Sequence, residues 1–322
     1  MVIAYIIRCW IYLIFVIPSL LCSIFNLYHF IVDRTLRKAL YNHIIILILS
    51  LCLLYNITDI IWLIHFYRTI SPVSYTYIFC ILWTYIDFAP FVSITLLVAW
   101  ASIERHILIF HQNLVSTRTK RLFAHYLPMI IFTLYPLIYY MVMFFIIPCS
   151  IPLNYAKTRC GLTNCAYPSA AITMYDGIAH NILPVFSIVV FSIALIGRVW
   201  YNKYRMGQRF QWKKYRKMTI QLLSISSVYF FLLFPPMILN TAYAAGVSYS
   251  VAADFYSGAM YISYLITLLI PFVCTAALPE LRAKFPKIPG FYRRKSTAVV
   301  PVTFTLNRLA ASRTAVVTHA AH

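Results

Sequence analysis

Four residues on one apolar stretch carry most of the chemistry this sequence offers: Cys80, Asp87, Glu104 and Arg105. The run Ala101-Ser-Ile-Glu104-Arg105-His106 closes one end of the stretch. Cys80 lies twenty-five residues before Arg105 at the other end, and Asp87 eighteen residues before it. At ~1.5 Å of rise per helical residue, Asp87 stands about 27 Å from Arg105, close to the roughly 30 Å of a bilayer core. A single helix would then hold a thiol at one rim, a carboxylate in the adjoining third and an acid–base pair at the opposite edge. A charge placed in hydrocarbon is expensive, and by default it marks a functional position.

The elements that must position these residues are transmembrane helices. Hydrophobic residues make up 62% of the chain and charged residues 11%, against about 25% charged in ordinary soluble domains. Without water in the bilayer core, backbone groups must pair within each segment, which favours helices. Apolar runs above twenty residues argue against a β-barrel. The hydropathy pattern predicts an all-α membrane protein with seven spans, near 9–32, 42–66, 77–110, 124–147, 173–200, 215–243 and 251–277. A short amphipathic stretch, Pro279 to Phe285, follows, and a basic tail runs from 286 to 322. Residues 1–285 are expected to form the membrane domain. The first span is too long for a signal peptide and is followed by Arg34, Arg37 and Lys38, so it reads as a retained anchor. No internal repeat is visible, which weakens a transporter built on repeated halves.

Lys and Arg set the expected orientation. With the N-terminus outside, the outer segments hold only Arg8, Arg68, Lys157 and Arg159 of the 27 Lys and Arg. Loops rich in these residues stay cytoplasmic. The net charge of +20 is therefore expected mainly at the inner face, in contact with anionic lipid. Its spread over loops flanking apolar helices excludes nucleic-acid binding. Asn56-Ile-Thr58 matches a glycosylation pattern but falls inside the second span, so it is not a site.

The eight cysteines divide by compartment. Cys9, Cys22, Cys52 and Cys274 lie in or near spans and read as packing thiols. Cys80, Cys149, Cys160 and Cys165 fall at the outer face, where disulfides persist. Four cysteines allow three pairings, and the residues alone do not choose among them. No Cys–His spacing suggests a zinc site, no HExxH or Ser/His/Asp constellation suggests an enzyme, and no cofactor is implied.

Seven spans, an outer N-terminus, Cys80 and Glu104-Arg105-His106 together resemble the rhodopsin-like G-protein-coupled receptors, over about residues 9–285. In that family the third helix opens with a Cys bonded to the second outer loop. It closes, twenty-five residues after that Cys, on the Arg of an acid-Arg-aromatic triplet. Asn26 and Asn42 fall near family asparagines of helices one and two. Pro184, Pro236 and Pro271 fit the prolines of helices five, six and seven. Phe234-Pro235-Pro236 resembles the helix-six switch, with Phe234 for the usual Trp. The resemblance also favours Cys80–Cys165, since Cys165 lies nineteen residues before Pro184, and it leaves Cys149–Cys160 as the second bridge.

The departures are as specific. Ile270-Pro271-Phe272-Val273-Cys274 replaces Asn-Pro-x-x-Tyr in the seventh helix. Cys52 replaces the usual Asp of the second, and Ile94 stands where a Ser often helps hold sodium. Their joint loss implies a dry, ion-free interior, because a half-satisfied polar network costs more than an apolar one. The fourth helix lacks its usual Trp.

The resemblance implies roles for particular residues. Asp87 is seven residues after the helix-three Cys and Tyr264 seven before the helix-seven Pro, positions that in amine and several peptide receptors hold a cationic ligand. The bland alternative for Asp87 is a carboxylate satisfied by a neighbouring hydroxyl or water. Pro90 cannot donate to the Ile86 carbonyl, so the helix is expected to bend beside Asp87 and leave a backbone acceptor facing the same cavity. His180 and Phe234 are further ligand candidates, although a buried His is more often a satisfied core residue. Asp176 and Asp254 read first as solvated helix-end acids, and Asp59 as a local partner of Asn56 or Thr58. Glu104, Arg105 and His106, with Phe234, Pro236 and Pro271, would couple the pocket to a heterotrimeric G-protein. Glu104 would hold Arg105 at rest, and Gln211 to Lys217 offers no helix-six acid for the same purpose. A snorkelling interfacial Arg is the plain alternative. Tail hydroxyls such as Ser296, Thr297, Thr303, Thr305, Ser312 and Thr314 would recruit arrestin-like regulators. The expected function is a plasma-membrane receptor for an extracellular basic peptide or amine. The rival is a seven-helix transporter or channel with Asp59 and Asp87 along its path.

Overall fold

The structure is a computed structural model that describes residues 5–147, 152–166, 169–205, 223–277 and 281. Several expected features fall outside the described residues. These are Cys149, the side chain of Cys165, the run Gln211 to Lys217, most of the stretch from Pro279 to Phe285, and the tail.

Every regular element among the described residues is helical. Five helices are long and apolar enough to cross a membrane: α1 (Tyr5–Val32), α2 (Leu40–Thr69), α3 (Tyr77–Phe110), α4 (Arg118–Ile146) and α5 (Ala170–Arg198). Two bent pairs pass the same test when each pair is taken together. They are α6 (Leu223–Leu232) with α7 (Phe234–Ala244), bent by 41°, and α8 (Ala253–Ser263) with α9 (Leu265–Ala276), bent by 42°. The chain is a multi-pass membrane protein. α3 is the central helix, with 72% of its apolar window buried against 22% for α4. It packs on α2, α4 and α5. The outward residues of the other helices are large and apolar, such as Ile14, Leu21 and Ile193, which suits a lipid surround.

Proline and wide turns shape these helices. Pro235 and Pro236 lack the N–H groups that would reach the Phe231 and Leu232 carbonyls, so the α6–α7 break falls at Leu233. Pro184 cannot donate to the His180 carbonyl, and the turn before it, Gly177–Ile182, widens to i→i+5 pairing. α5 and α7 meet closely at Gly177, where a Cβ would come within 2.7 Å of Thr241 Oγ1. α3, by contrast, stays helical through Pro90.

Buried polar groups tie α1 and α2 to α9. Pro271 has no N–H for the Thr267 carbonyl, and Asn56 Nδ2 donates to that carbonyl instead at 3.3 Å. Thr267 Oγ1 donates back to Asn56 Oδ1 at 3.0 Å. Asn26 Nδ2 donates to the Pro271 carbonyl at 2.8 Å, and Thr275 Oγ1 donates to Asn26 Oδ1 at 2.8 Å. Asn42 Nδ2 donates to the Leu36 carbonyl at 2.8 Å. Around these ties the interior is apolar: Cys52, Ile94, Ile270 and Cys274 share one buried cluster. Cys9, Cys22, Cys52 and Cys274 are all buried and form no disulfide.

Removing a buried hydrogen-bonding group strands its partners, at about 1–3 kcal/mol each. Asn26→Leu removes one contact each from the Thr275 hydroxyl and the Pro271 carbonyl, which keep their bond to each other at 3.0 Å, so the cost falls at the lower end of that range. The substitution is expected to lower the thermal midpoint of the detergent-solubilised protein by several degrees. A midpoint equal to the wild type would show that the α1–α9 tie contributes nothing.

Candidate functional site

The Cys80 end of α3 is closed by a loop. Residues 154–161 fold back on themselves: the Asn154 N–H donates to the Cys160 carbonyl at 2.8 Å, and the Cys160 N–H to the Lys157 carbonyl at 3.1 Å. Arg159, Cys160 and Gly161 all lie in the left-handed region, with φ of 54°, 54° and 74°. That conformation costs non-glycine residues energy and persists only where surrounding contacts fix it. Here the contact is covalent, because Cys160 is bonded to Cys80. This corrects both expected bridges, Cys80–Cys165 and Cys149–Cys160. The spacing to Pro184 takes no account of how compactly the loop turns, and the left-handed turn brings Cys160 to Cys80.

The same turn sends Arg159 into the bundle. Its Nε lies 2.8 Å from Asp87 Oδ2, with side chains 12% and 7% exposed. The angle at Nε falls outside hydrogen-bond geometry, so this contact is an ion pair held by charge. The other carboxylate oxygen accepts from Tyr264 Oη at 2.8 Å and from Tyr55 Oη at 3.2 Å. Arg159 also donates to Tyr264 Oη, and its guanidinium sits 5.5 Å from the Tyr264 ring centroid. Burial by itself would lower the Arg159 pKa. Burial is the largest single influence, but the facing Asp87 carboxylate together with Tyr264, Asp59 and Tyr55 outweighs it and holds the guanidinium well above its ordinary value. Asp87 is therefore met by two hydroxyls, as its bland alternative has it, and also by an internal cation that the sequence did not announce.

A cavity of about 110 Å³ remains beside this ion pair, lined among others by Phe88, Phe91, Asn181, Met237, Asn240, Tyr256 and Tyr264. Ligand cavities typically hold about 300–1,000 Å³, so with Arg159 in place only a small group fits.

Two expected ligand residues lie outside this cavity. His180 is 1% exposed and belongs to a polar cluster between α4 and α5. It contacts Asp176 Oδ1 at 2.8 Å and Tyr135 Oη at 2.8 Å, and Tyr140 Oη donates to Asp176 Oδ1 at 2.5 Å. The extra residue of the wide turn Gly177–Ile182 swings this face toward α4. Asp176 is thus a buried partner rather than a solvated helix end, while Asp254 is exposed. Phe234 stacks on Phe230 at 5.6 Å beside the α6–α7 break, and Met237, three residues on, lines the cavity instead. Asp59 accepts from Trp83 Nε1 on α3 at 2.8 Å, in place of the expected local bond to Asn56 or Thr58.

At the other end of α3, Glu104 and Arg105 are 1% and 2% exposed. The Glu104 carboxylate meets His125 Nδ1 on α4, a partner beyond the expected Arg105. The contacts continue from His125 Nε2 to His43 Nδ1 at 3.2 Å, and from His43 Nε2 to the Arg37 carbonyl at 2.9 Å. Proton positions follow from the acceptors. The carbonyl only accepts, so His43 Nε2 donates. The contact between the two rings and the contact with Glu104 each take one N–H or O–H between them. His106 Nε2 donates to the Phe191 carbonyl on α5 at 2.7 Å. Pro236 and Pro271 are buried, consistent with positions that shape helices rather than meet solvent.

Neither the family models nor the curated proteins compared with the sequence give a match. The reading of the site rests on its own geometry.

Two outcomes check this geometry. Peptide mapping under non-reducing conditions is expected to yield a Cys80–Cys160 peptide that survives in Cys165→Ser and vanishes in Cys160→Ser. Recovery of a Cys80–Cys165 peptide from the wild type would refute the loop path. At the far end, His125→Phe strands the buried Glu104 carboxylate, a change that typically costs about 3–5 kcal/mol. Adding Glu104→Gln to it is expected to restore much of the lost denaturant midpoint, since the stranded charge is gone. Equal midpoints for the single and double variants would show that Glu104 does not depend on His125.

Proposed function

We propose that the chain is a divergent rhodopsin-like G-protein-coupled receptor, with seven spans, its N-terminus outside and its C-terminus cytoplasmic, in the plasma membrane. The observation that carries this reading is the layout of α3. One end is tethered by a disulfide to the loop after α4, the middle faces an enclosed cavity at Asp87, and the other end buries an acid-Arg pair. A disulfide on the Cys80 side suits an oxidising exterior. The Arg105 side adjoins the more basic loops. A heterotrimeric G-protein would engage the Arg105 end, and the tail would meet arrestin-like regulators.

The ligand is an extracellular basic peptide or amine whose cation competes with Arg159 for Asp87 and Tyr264. Arg159 is tethered beside the carboxylate, so it acts as a competitor at high effective concentration. Entry of the ligand would push Arg159 aside, enlarge the cavity and release the loop's inward pull on α3 and α8. Binding to the Arg159-displaced state shifts the population toward it.

The experiment is a screen of amines and basic peptides, read by G-protein activation at matched surface expression, with Arg105→Ala as the signalling-dead control. For any cationic agonist found, Arg159→Gln is expected to lower the half-maximal concentration by about tenfold, because the competitor is gone. Asp87→Asn is expected to raise it by tens-fold or more, since losing one partner of a buried charged contact costs about 2–5 kcal/mol. Opposite shifts in the two variants are the signature. A rightward shift in Arg159→Gln would make Arg159 part of the ligand contact and overturn the competition.

A further inference from the structure

A second cavity, of about 280 Å³, opens at the Cys80 end between the start of α1, the end of α2 and the 154–161 loop. Its charged lining is Arg8 and Lys157. Tyr5, Phe66, Tyr67 and Gly161 supply much of the rest. No acid lines it. Among the described residues, neither Arg8 nor Lys157 has a carboxylate in ion-pair range. Five of the seven acids are placed elsewhere: Asp59 on Trp83, Asp87 on Arg159, Glu104 on His125, Asp176 on Tyr140 and His180, and Asp33 as the cap of the helix Arg34–Lys38. Asp254 is exposed at the start of α8, and Glu280 lies outside the described residues.

Arg8 is the unusual member. It is 8% exposed, and its Nε has no hydrogen-bond partner. Three tyrosine rings surround its guanidinium: Tyr5 and Tyr67 at 5.8 Å and Tyr261 at 5.1 Å. Ring faces attract a cation but bring no counter-charge. A buried charge is normally paired as well as hydrogen-bonded, so one partner is missing here. Lys157 is exposed at the rim of the same cavity, on the loop that carries Arg159. A guanidinium fork below and a mobile ammonium above suit the oxygens of a single anionic group. The aromatic walls suit an apolar body attached to it.

We propose that the Arg8–Lys157 cavity is an anion-binding subsite for an extracellular ligand that bears a carboxylate or phosphate beside an apolar group. It takes from the functional reading only the outward placement of this end. Carboxylate on a soluble molecule and phosphate of an outer-leaflet lipid share the recognition chemistry, and the test separates them.

The full chain, purified into nanodiscs of zwitterionic lipid, is melted against increasing sodium benzoate. A parallel series replaces part of the lipid with phosphatidylglycerol. The expected result is a rise in melting midpoint that saturates with benzoate and needs at least tenfold more benzoate in Lys157→Glu. Arg8→Gln is expected to abolish it, and Arg68→Gln, a cation outside the cavity, to leave it unchanged. Lys157 is a surface position, so its variant stays informative if Arg8→Gln does not fold. A Lys157-dependent rise with phosphatidylglycerol alone would support the anion site but overturn its assignment to a soluble ligand. No saturable rise with either probe, or equal rises in wild type and Lys157→Glu, would overturn the site itself. Because no G-protein enters the measurement, a chain that binds benzoate without signalling separates this inference from the receptor reading.

Discussion

The Asp87–Arg159 ion pair is the interaction on which the described half of the molecule around the loop depends. Two charges buried in a low-dielectric interior each carry a desolvation cost of several kcal/mol, and only close approach with further hydrogen bonds offsets it. Tyr55 and Tyr264 provide those bonds on the carboxylate. The pair therefore draws α2, α3, the loop and the α8–α9 hinge to one point. The left-handed backbone at Arg159 and Cys160 follows from the same demand. A relaxed loop would not deliver the guanidinium and the disulfide sulfur to adjacent places on α3.

Charge scarcity explains why so few acids do so much. Of seven acids, those buried in the bundle each meet a specific donor, and a donor contributed by a different helix or loop in every case but the His180 contact. Each acid thus acts as a tie between elements that apolar packing alone would leave free to slide, since lipid tails are as apolar as the helix faces. The carbonyl freed by Pro271 works the same way. Asn56 captures the Thr267 carbonyl from α2, so a local defect in α9 becomes a link to α2, and Asn26 on α1 adds a bond to the Pro271 carbonyl.

This also marks what the sequence made legible. Helical class, the membrane setting and most helix limits follow from hydropathy, and the third expected span coincides with α3. Asp87 with Tyr264 was readable because both stand at fixed offsets from a Cys and a Pro. The partner of Asp87 was not. Arg159 sits in a loop whose path depends on which cysteine bonds Cys80, and the family spacing pointed to Cys165 where the structure has Cys160. A loop cation beside a disulfide candidate was the one available signal. The His125 partner of Glu104 was hidden for a related reason, because His125 lies twenty-one residues away on another helix.

The two ends of α3 are built on opposite principles. At the Cys80 end the charged partners come from a loop pinned by a covalent bond, so the cation is held by tether and the acid by hydroxyls. At the Arg105 end the acid meets imidazoles contributed by α4 and, through it, α2. An ion pair inside a cavity responds to a competing charge. The acid–imidazole chain responds to what approaches Arg105 beside it. A rotation or slide of α3 that loosens Arg159 would also move Glu104 against His125, because one continuous helix carries both acids. Rigid continuity through Pro90 is then a mechanical requirement: a break at that proline would let one end change without the other.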